Sequence, residues 1–74
     1  STGTTPAKAV ERLRVEAARP MVEESRQTFD AIARLVGFLD PDRMCQSFIR
    51  VLGHTPLELR RRARQGAEAE RRRA

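Results

Sequence analysis

Cysteine occurs once in this chain, at Cys45, tryptophan and tyrosine not at all, and three phenylalanines make up the whole aromatic complement. One thiol excludes an internal disulfide, and one thiol with one histidine cannot supply the four ligands of a structural zinc site. The sequence has nothing near the ~20 apolar residues of a membrane span, and no basic-then-apolar signal segment. A membrane is therefore not an expected partner, and a reducing cytoplasm fits the cysteine usage. Few β-branched or aromatic runs argue against a sheet and for packed helices. Seventy-four residues make one small domain, and a chain of that size buries only ~60% of the surface it exposes when unfolded. No nucleophile, base or ligand set is grouped by any motif, so no catalytic residue, cofactor or metal is expected and an enzyme is not.

What the chain has in excess is arginine. Fourteen Arg and one Lys stand against ten acidic side chains, for a formal charge of +5 and a pI near 11.2. That balance suits a polyanionic partner, although an arginine-rich solvated surface satisfies it equally.

Helix signals recur along the chain. Thr5-Pro6 pairs a capping oxygen with a residue whose missing N–H is harmless in a first turn. Val10, Leu13, Ala17 and Met21 then recur at helical spacing, with Glu11, Arg12, Glu16 and Arg19 on other faces. Pro20 would deprive Glu16 of its hydrogen-bond donor and predicts a kink or an end there. A second helix is expected from Thr28 to Val36, stopped by Gly37, and a third from Pro41 to Leu52 behind Asp40, with Met44, Phe48, Val51 and Leu52 as its apolar stripe. Thr55-Pro56-Leu57-Glu58 is a capping box. It predicts a fourth helix to about Arg64, with the charged stretch beyond Gly66 frayed or a tail. The expected division is residues 1–26 as a linking helix, 27–65 as the main helical unit and 66–74 as a charged tail.

Gly3-Thr4-Thr5-Pro6 and Gly53-His54-Thr55-Pro56 share the form Gly-x-Thr-Pro fifty residues apart, and repeats imply repeated architecture. On that reading the N-terminal copy closes an earlier unit. Between the two copies, the helices expected at Thr28 to Val36 and Pro41 to Leu52 form a helix-turn-helix layout. Small Ala33 permits close approach, and Gly37 makes the bend. Such a motif lays its first helix across a DNA backbone and sends the N-terminal part of the second into the major groove. There arginine bonds guanine and glutamine bonds adenine. Arg43 and Gln46, three apart on one face, are the candidate base readers.

These residues resemble the second motif of the AraC family of bacterial transcription regulators. Ile32, Ala33, Gly37, Phe38, Asp40, Phe48, Gly53, Thr55, Pro56 and Arg60 stand in the family's order and spacing, and the helix after Pro6 is similar to the linker that joins the family's two motifs. The resemblance implies an all-α, homeodomain-like bundle of about four helices around one helix-turn-helix, taken from a two-motif DNA-binding domain. It implies double-stranded DNA as partner and a place at the bacterial nucleoid. Base contacts are expected from Asp42, Arg43 and Gln46, and phosphate contacts from Thr28, Arg50 and His54. Asp40-Pro41-Asp42-Arg43-Met44 with Phe48-Ile49-Arg50 further resembles the branch that carries an N-terminal amidotransferase-like sensor. A homodimer is also expected, through apolar positions such as Val10, Leu13 or Ala17 that the absent first motif would leave exposed.

The chain departs from the family pattern at Ile49, where a basic residue is usual, at Met44 for a common Phe, at Pro20 in the linker and at Asp42, which accepts from cytosine but repels phosphate. Several residues keep a second reading. Arg43 can pair with Asp40 or Asp42 instead of a base, and His54 can be simply solvated. Arg60 to Arg62 can serve a helix dipole rather than phosphate, Arg71 to Arg73 can stay solvated, and Cys45 can be a structural thiol rather than a redox sensor. The whole chain could instead be a basic helical module that docks an acidic protein.

Overall fold

Three of the four helices begin on proline, the residue that costs least in a first turn. A computed structural model describes residues 6–73, which form α1 (Pro6–Glu24), α2 (Phe29–Val36), α3 (Pro41–Leu52) and α4 (Pro56–Arg73), with no strand among them. The fold is all-α, as expected. The N-terminal Gly-x-Thr-Pro copy and the cap assigned to Thr5 lie outside the described residues, apart from Pro6.

The central two helices have the boundaries that the sequence predicts. Thr28 Oγ1 accepts from Ala31 N at 3.1 Å, and Asp40 Oδ1 accepts from Arg43 N at 2.8 Å, each satisfying an amide at its helix N-terminus. Gly37 ends α2 at φ +96°, with Phe38 N–H reaching back to Ala33 O at 2.8 Å, and Gly53 ends α3 at φ +76°. Both lie in the left-handed region, where a side chain is strained. The capping box opens α4: Glu58 N donates to Thr55 Oγ1 and Thr55 N donates to Glu58 Oε1, both at 3.1 Å.

The core is built from Val15, Ala18 and Val22 of α1, Ile32 and Ala33 of α2, Met44 and Phe48 of α3, and Leu59 of α4. Phe29, Phe38, Met21, Val36, Val51 and Leu52 pack around it. Each of the larger fully buried side chains stabilises the fold by roughly 1.5–3 kcal/mol relative to exposure.

Expectations for α1 and α4 are corrected. The stripe of α1 that packs on the other helices is Val15, Ala18 and Val22, with Glu11 partly covered; of the pattern Val10, Leu13, Ala17 and Met21 only Met21 is partly buried, and the other three face outward, as expected of them without a first motif. Both stripes have helical spacing, and the packed one is turned by about one residue, roughly 100° around the axis. Of the kink or end expected at Pro20, the end does not occur: α1 runs four residues past it. Pro20 and Glu16 are exposed, so water can reach the carbonyl that lost its donor, and burying Val22 and part of Met21 offsets the break. The helix expected to stop near Arg64 continues to Arg73. Gly66 costs about 1 kcal/mol relative to alanine, but the Gln, Ala, Glu and Arg residues around it are strong helix formers.

Candidate nucleic-acid interface

α3 has two faces of different character. Met44, Ser47 and Phe48 are buried, whereas Asp42, Arg43, Gln46, Ile49 and Arg50 are exposed. The three residues expected to read bases therefore all lie on the open side of one helix, beginning in its first turn. That is the part of a recognition helix that reaches base edges.

Arg43, Gln46 and Arg50 line one open cleft of about 870 Å³, formed by the N-terminal half of α1, the turn between α2 and α3, and α3 itself. Arg14 lines the same cleft from α1, and Val10, Phe38 and Leu39 are the larger apolar residues of its lining. Asp42, Thr28 and His54 are not among its lining residues. Arg14 and its position beside the turn escaped the sequence reading. Its guanidinium stands so close to Gly37 that a Cβ there would lie 3.2 Å from Arg14 Nε. Only a contact between elements reveals this, since nothing in the spacing of α1 marks residue 14.

Arg43 keeps both options that the sequence left open. Its Nε is 3.8 Å from Asp40 Oδ2, yet its side chain is 64% exposed. An exposed ion pair at that distance is worth ~0–1 kcal/mol and yields readily to a better acceptor. Thr28 is occupied as the N-cap of α2. Arg50 Nη2 lies 3.1 Å from Glu11 Oε2, which also accepts from Ser47 Oγ at 2.8 Å. In sequence Glu11 reads only as part of the polar face of α1, and Ser47 carries no signal.

His54 is half-buried, and both its ring nitrogens face other side chains. Arg62 Nη1 lies 3.2 Å from Nε2, and Glu58 Oε2 is 3.7 Å from Nδ1. Because a guanidinium only donates, the Arg62 contact requires Nε2 to accept. Glu58 is held below the usual carboxylate value chiefly by hydrogen bonds from the Thr55 backbone and side chain, with lesser help from His54.

Arg60 does not serve the dipole of its own helix, which extends thirteen residues further, to Arg73. It reaches across to the end of α1. Nε donates to Val22 O at 2.9 Å, and Nη2 donates to Gln27 O at 2.7 Å and to Ser25 O at 3.4 Å. α1 closes on Glu23 and Glu24 with no basic residue in its last turn, so a guanidinium from α4 supplies the positive charge and the donors that this end lacks. Burial, and secondarily the charge of Arg64, press Arg60 below the ordinary guanidinium value. Cys45 is half-buried as a free thiol. The described residues hold no group of three or more His, Cys, Asp or Glu side chains placed to bind a metal, and no helix long and apolar enough to cross a membrane.

The helix-turn-helix domain family matches residues 1–62. The chain is also 44% identical over 59 residues to an HTH-type transcriptional regulator of Mycobacterium tuberculosis, an alignment that covers 80% of this chain and 23% of the relative. The chain thus spans about a quarter of the length of that relative. No solved structure is significantly similar.

Proposed function

The chain belongs to the AraC-type helix-turn-helix domain family, and from that premise we propose that it binds double-stranded DNA sequence-specifically, as the DNA-reading part of a transcription regulator. In this reading α3 lies in the major groove and α2 crosses the backbone. Arg43 and Gln46 bond base edges, Asp42 accepts from cytosine, and Arg50, Thr28 and His54 meet phosphates. The observation that carries it is the division of α3 into a buried face and an exposed face bearing Asp42, Arg43 and Gln46.

The proposed division follows the sequence: 1–26 links, 27–65 holds the motif and 66–74 adds a charged extension. The reading includes no enzymatic step and places the protein in the bacterial cytoplasm, at the nucleoid. Leu13 and Val10 stand 65% and 42% exposed on α1, which supports a homodimer through that face. Sedimentation that gives a strict monomer at high concentration, unaltered by Leu13→Glu, would remove the dimer from the reading.

The test of DNA reading is fluorescence anisotropy with the duplex from the adjoining promoter and with a random-sequence pool, at low and moderate salt. The promoter is expected to bind more tightly, and Arg43→Ala to abolish most of the preference, a loss of about 1–3 kcal/mol in discrimination at one base pair. Equal, salt-labile binding to both duplexes, unchanged by Arg43→Ala, would leave a basic helical module and turn attention to an acidic protein partner.

A further inference from the structure

Glu11 belongs to α1, yet its carboxylate serves α3. One oxygen, Oε2, accepts from the buried Ser47 hydroxyl at 2.8 Å and stands 3.1 Å from Arg50 Nη2. Ser47 and Arg50 are three residues apart and share a helix face. The arrangement is asymmetric: the Glu11 side chain is 23% exposed and that of Arg50 66%. Ser47 is buried and Arg50 open, and both line, with Glu11, the cleft that Arg43 and Gln46 also line.

Two consequences follow from one oxygen having both roles. The hydrogen bond to Ser47 adds to the packing of Met44 and Phe48 in setting the rotation of α3 against α1, and so the direction in which Arg43 and Gln46 point. The ion pair sets an anion beside Arg50, so a phosphate that uses this guanidinium must compete with a carboxylate already there. On the reading that α3 binds DNA, we propose that Glu11 is a positioning residue of the interface: it orients α3 through Ser47 and lowers non-specific affinity by holding Arg50 off phosphate until the sequence-specific complex forms. Binding then depends more on the base contacts of Arg43 and Gln46 than on indiscriminate attraction to the backbone.

The experiment is a salt series of anisotropy titrations on the random-sequence duplex and on the promoter duplex. Glu11→Gln removes the charge but keeps an acceptor for Ser47. It should bind random DNA up to about fivefold more tightly, the range set by losing one exposed ion pair. The slope of log K against log salt should steepen by about 0.9, one added phosphate contact. The promoter-to-random ratio should fall. Glu11→Asp leaves the net charge unchanged but is too short to hold Ser47 and Arg50 together, so it should shift random-DNA binding in the same direction, which a simple charge effect cannot do. In an Arg50→Ala background the gain from Glu11→Gln should vanish.

A gain of equal size in that background, or an unaltered salt slope in both Glu11 variants, overturns the proposal. A wild-type chain with no promoter preference would overturn base reading by α3. It would leave the salt-slope comparison on random DNA standing, so the two failures are separable. Thermal melts of each variant set the assay temperature below its midpoint, and Glu11→Asp carries the test should Glu11→Gln be unfolded.

Discussion

The Arg60 guanidinium lies over the ring of Phe29, with its carbon 4.4 Å from the ring centroid, while its nitrogens donate to the carbonyls of Val22, Ser25 and Gln27. A planar cation is used here as a staple between the end of α1, the start of α2 and α4. Arg60→Ala is expected to destabilise the domain by about 2–3 kcal/mol, the range for charged hydrogen bonds with a modest cation–π term. Arg60→Lys should recover less than half of that, because an ammonium cannot reproduce the fork. Urea denaturation of the three proteins checks both figures, and full recovery by lysine would show that charge alone matters.

The three described glycines should respond differently to alanine. At Gly37 and Gly53 the positive φ makes a Cβ cost about 1–2 kcal/mol, with Gly37→Ala the worse of the two because Arg14 must also move. Gly66 lies inside α4 with open space around it, so Gly66→Ala should stabilise by up to about 1 kcal/mol. Thermal melts that place all three on the same side of wild type would contradict this account.

Where a residue's effect is local, its part was legible in the sequence: Thr28, Asp40 and the Thr55–Glu58 box cap as expected, and Gly37 and Gly53 stop their helices. The pattern Val10, Leu13, Ala17, Met21 did not mark the packed face because α1 carries a competing stripe at the same period. Only contact with α2, α3 and α4 decides which stripe is covered. Arg60 and Glu11 were illegible for a related reason. Their partners lie 31 to 38 and 36 to 39 positions away in the chain, and a charged residue at a contact reads in sequence like one in water.

The capping box gives α4 a pH dependence. Hydrogen bonds from Thr55 hold Glu58 below the ordinary carboxylate value in the folded chain, so its contribution is fully present above the unfolded-state value and is lost as pH falls through the lower, folded one. The melting temperature of wild type should therefore drop toward that of Glu58→Gln as pH is taken from 7 to 3. A constant difference between the two proteins over that range would mean that the carboxylate is not what stabilises the turn.

Phe48→Ala should leave the chain largely unfolded at 25 °C. Phe48 is fully buried, its truncation costs about 3–5 kcal/mol, and a domain of this size rarely holds more than ~3–5 kcal/mol in reserve. By contrast Asp42→Ala, Arg43→Ala and Gln46→Ala should each change stability by no more than about 0.5 kcal/mol. Circular dichroism separates the two classes at once, and a retained helical signal in Phe48→Ala would show a larger reserve than the core implies.

The separation of α3 into two faces bears on how such a protein changes over generations. Met44, Ser47 and Phe48 are buried and hold the helix in place, whereas Asp42, Arg43 and Gln46 are exposed. If α3 reads DNA as proposed, a duplicated gene can drift at those outward positions and acquire a new target without passing through an unfolded intermediate. Arg50 is the exception. Its tie to Glu11 couples one position of the outward face to α1, so a lineage that alters residue 50 would be expected to alter residue 11 with it.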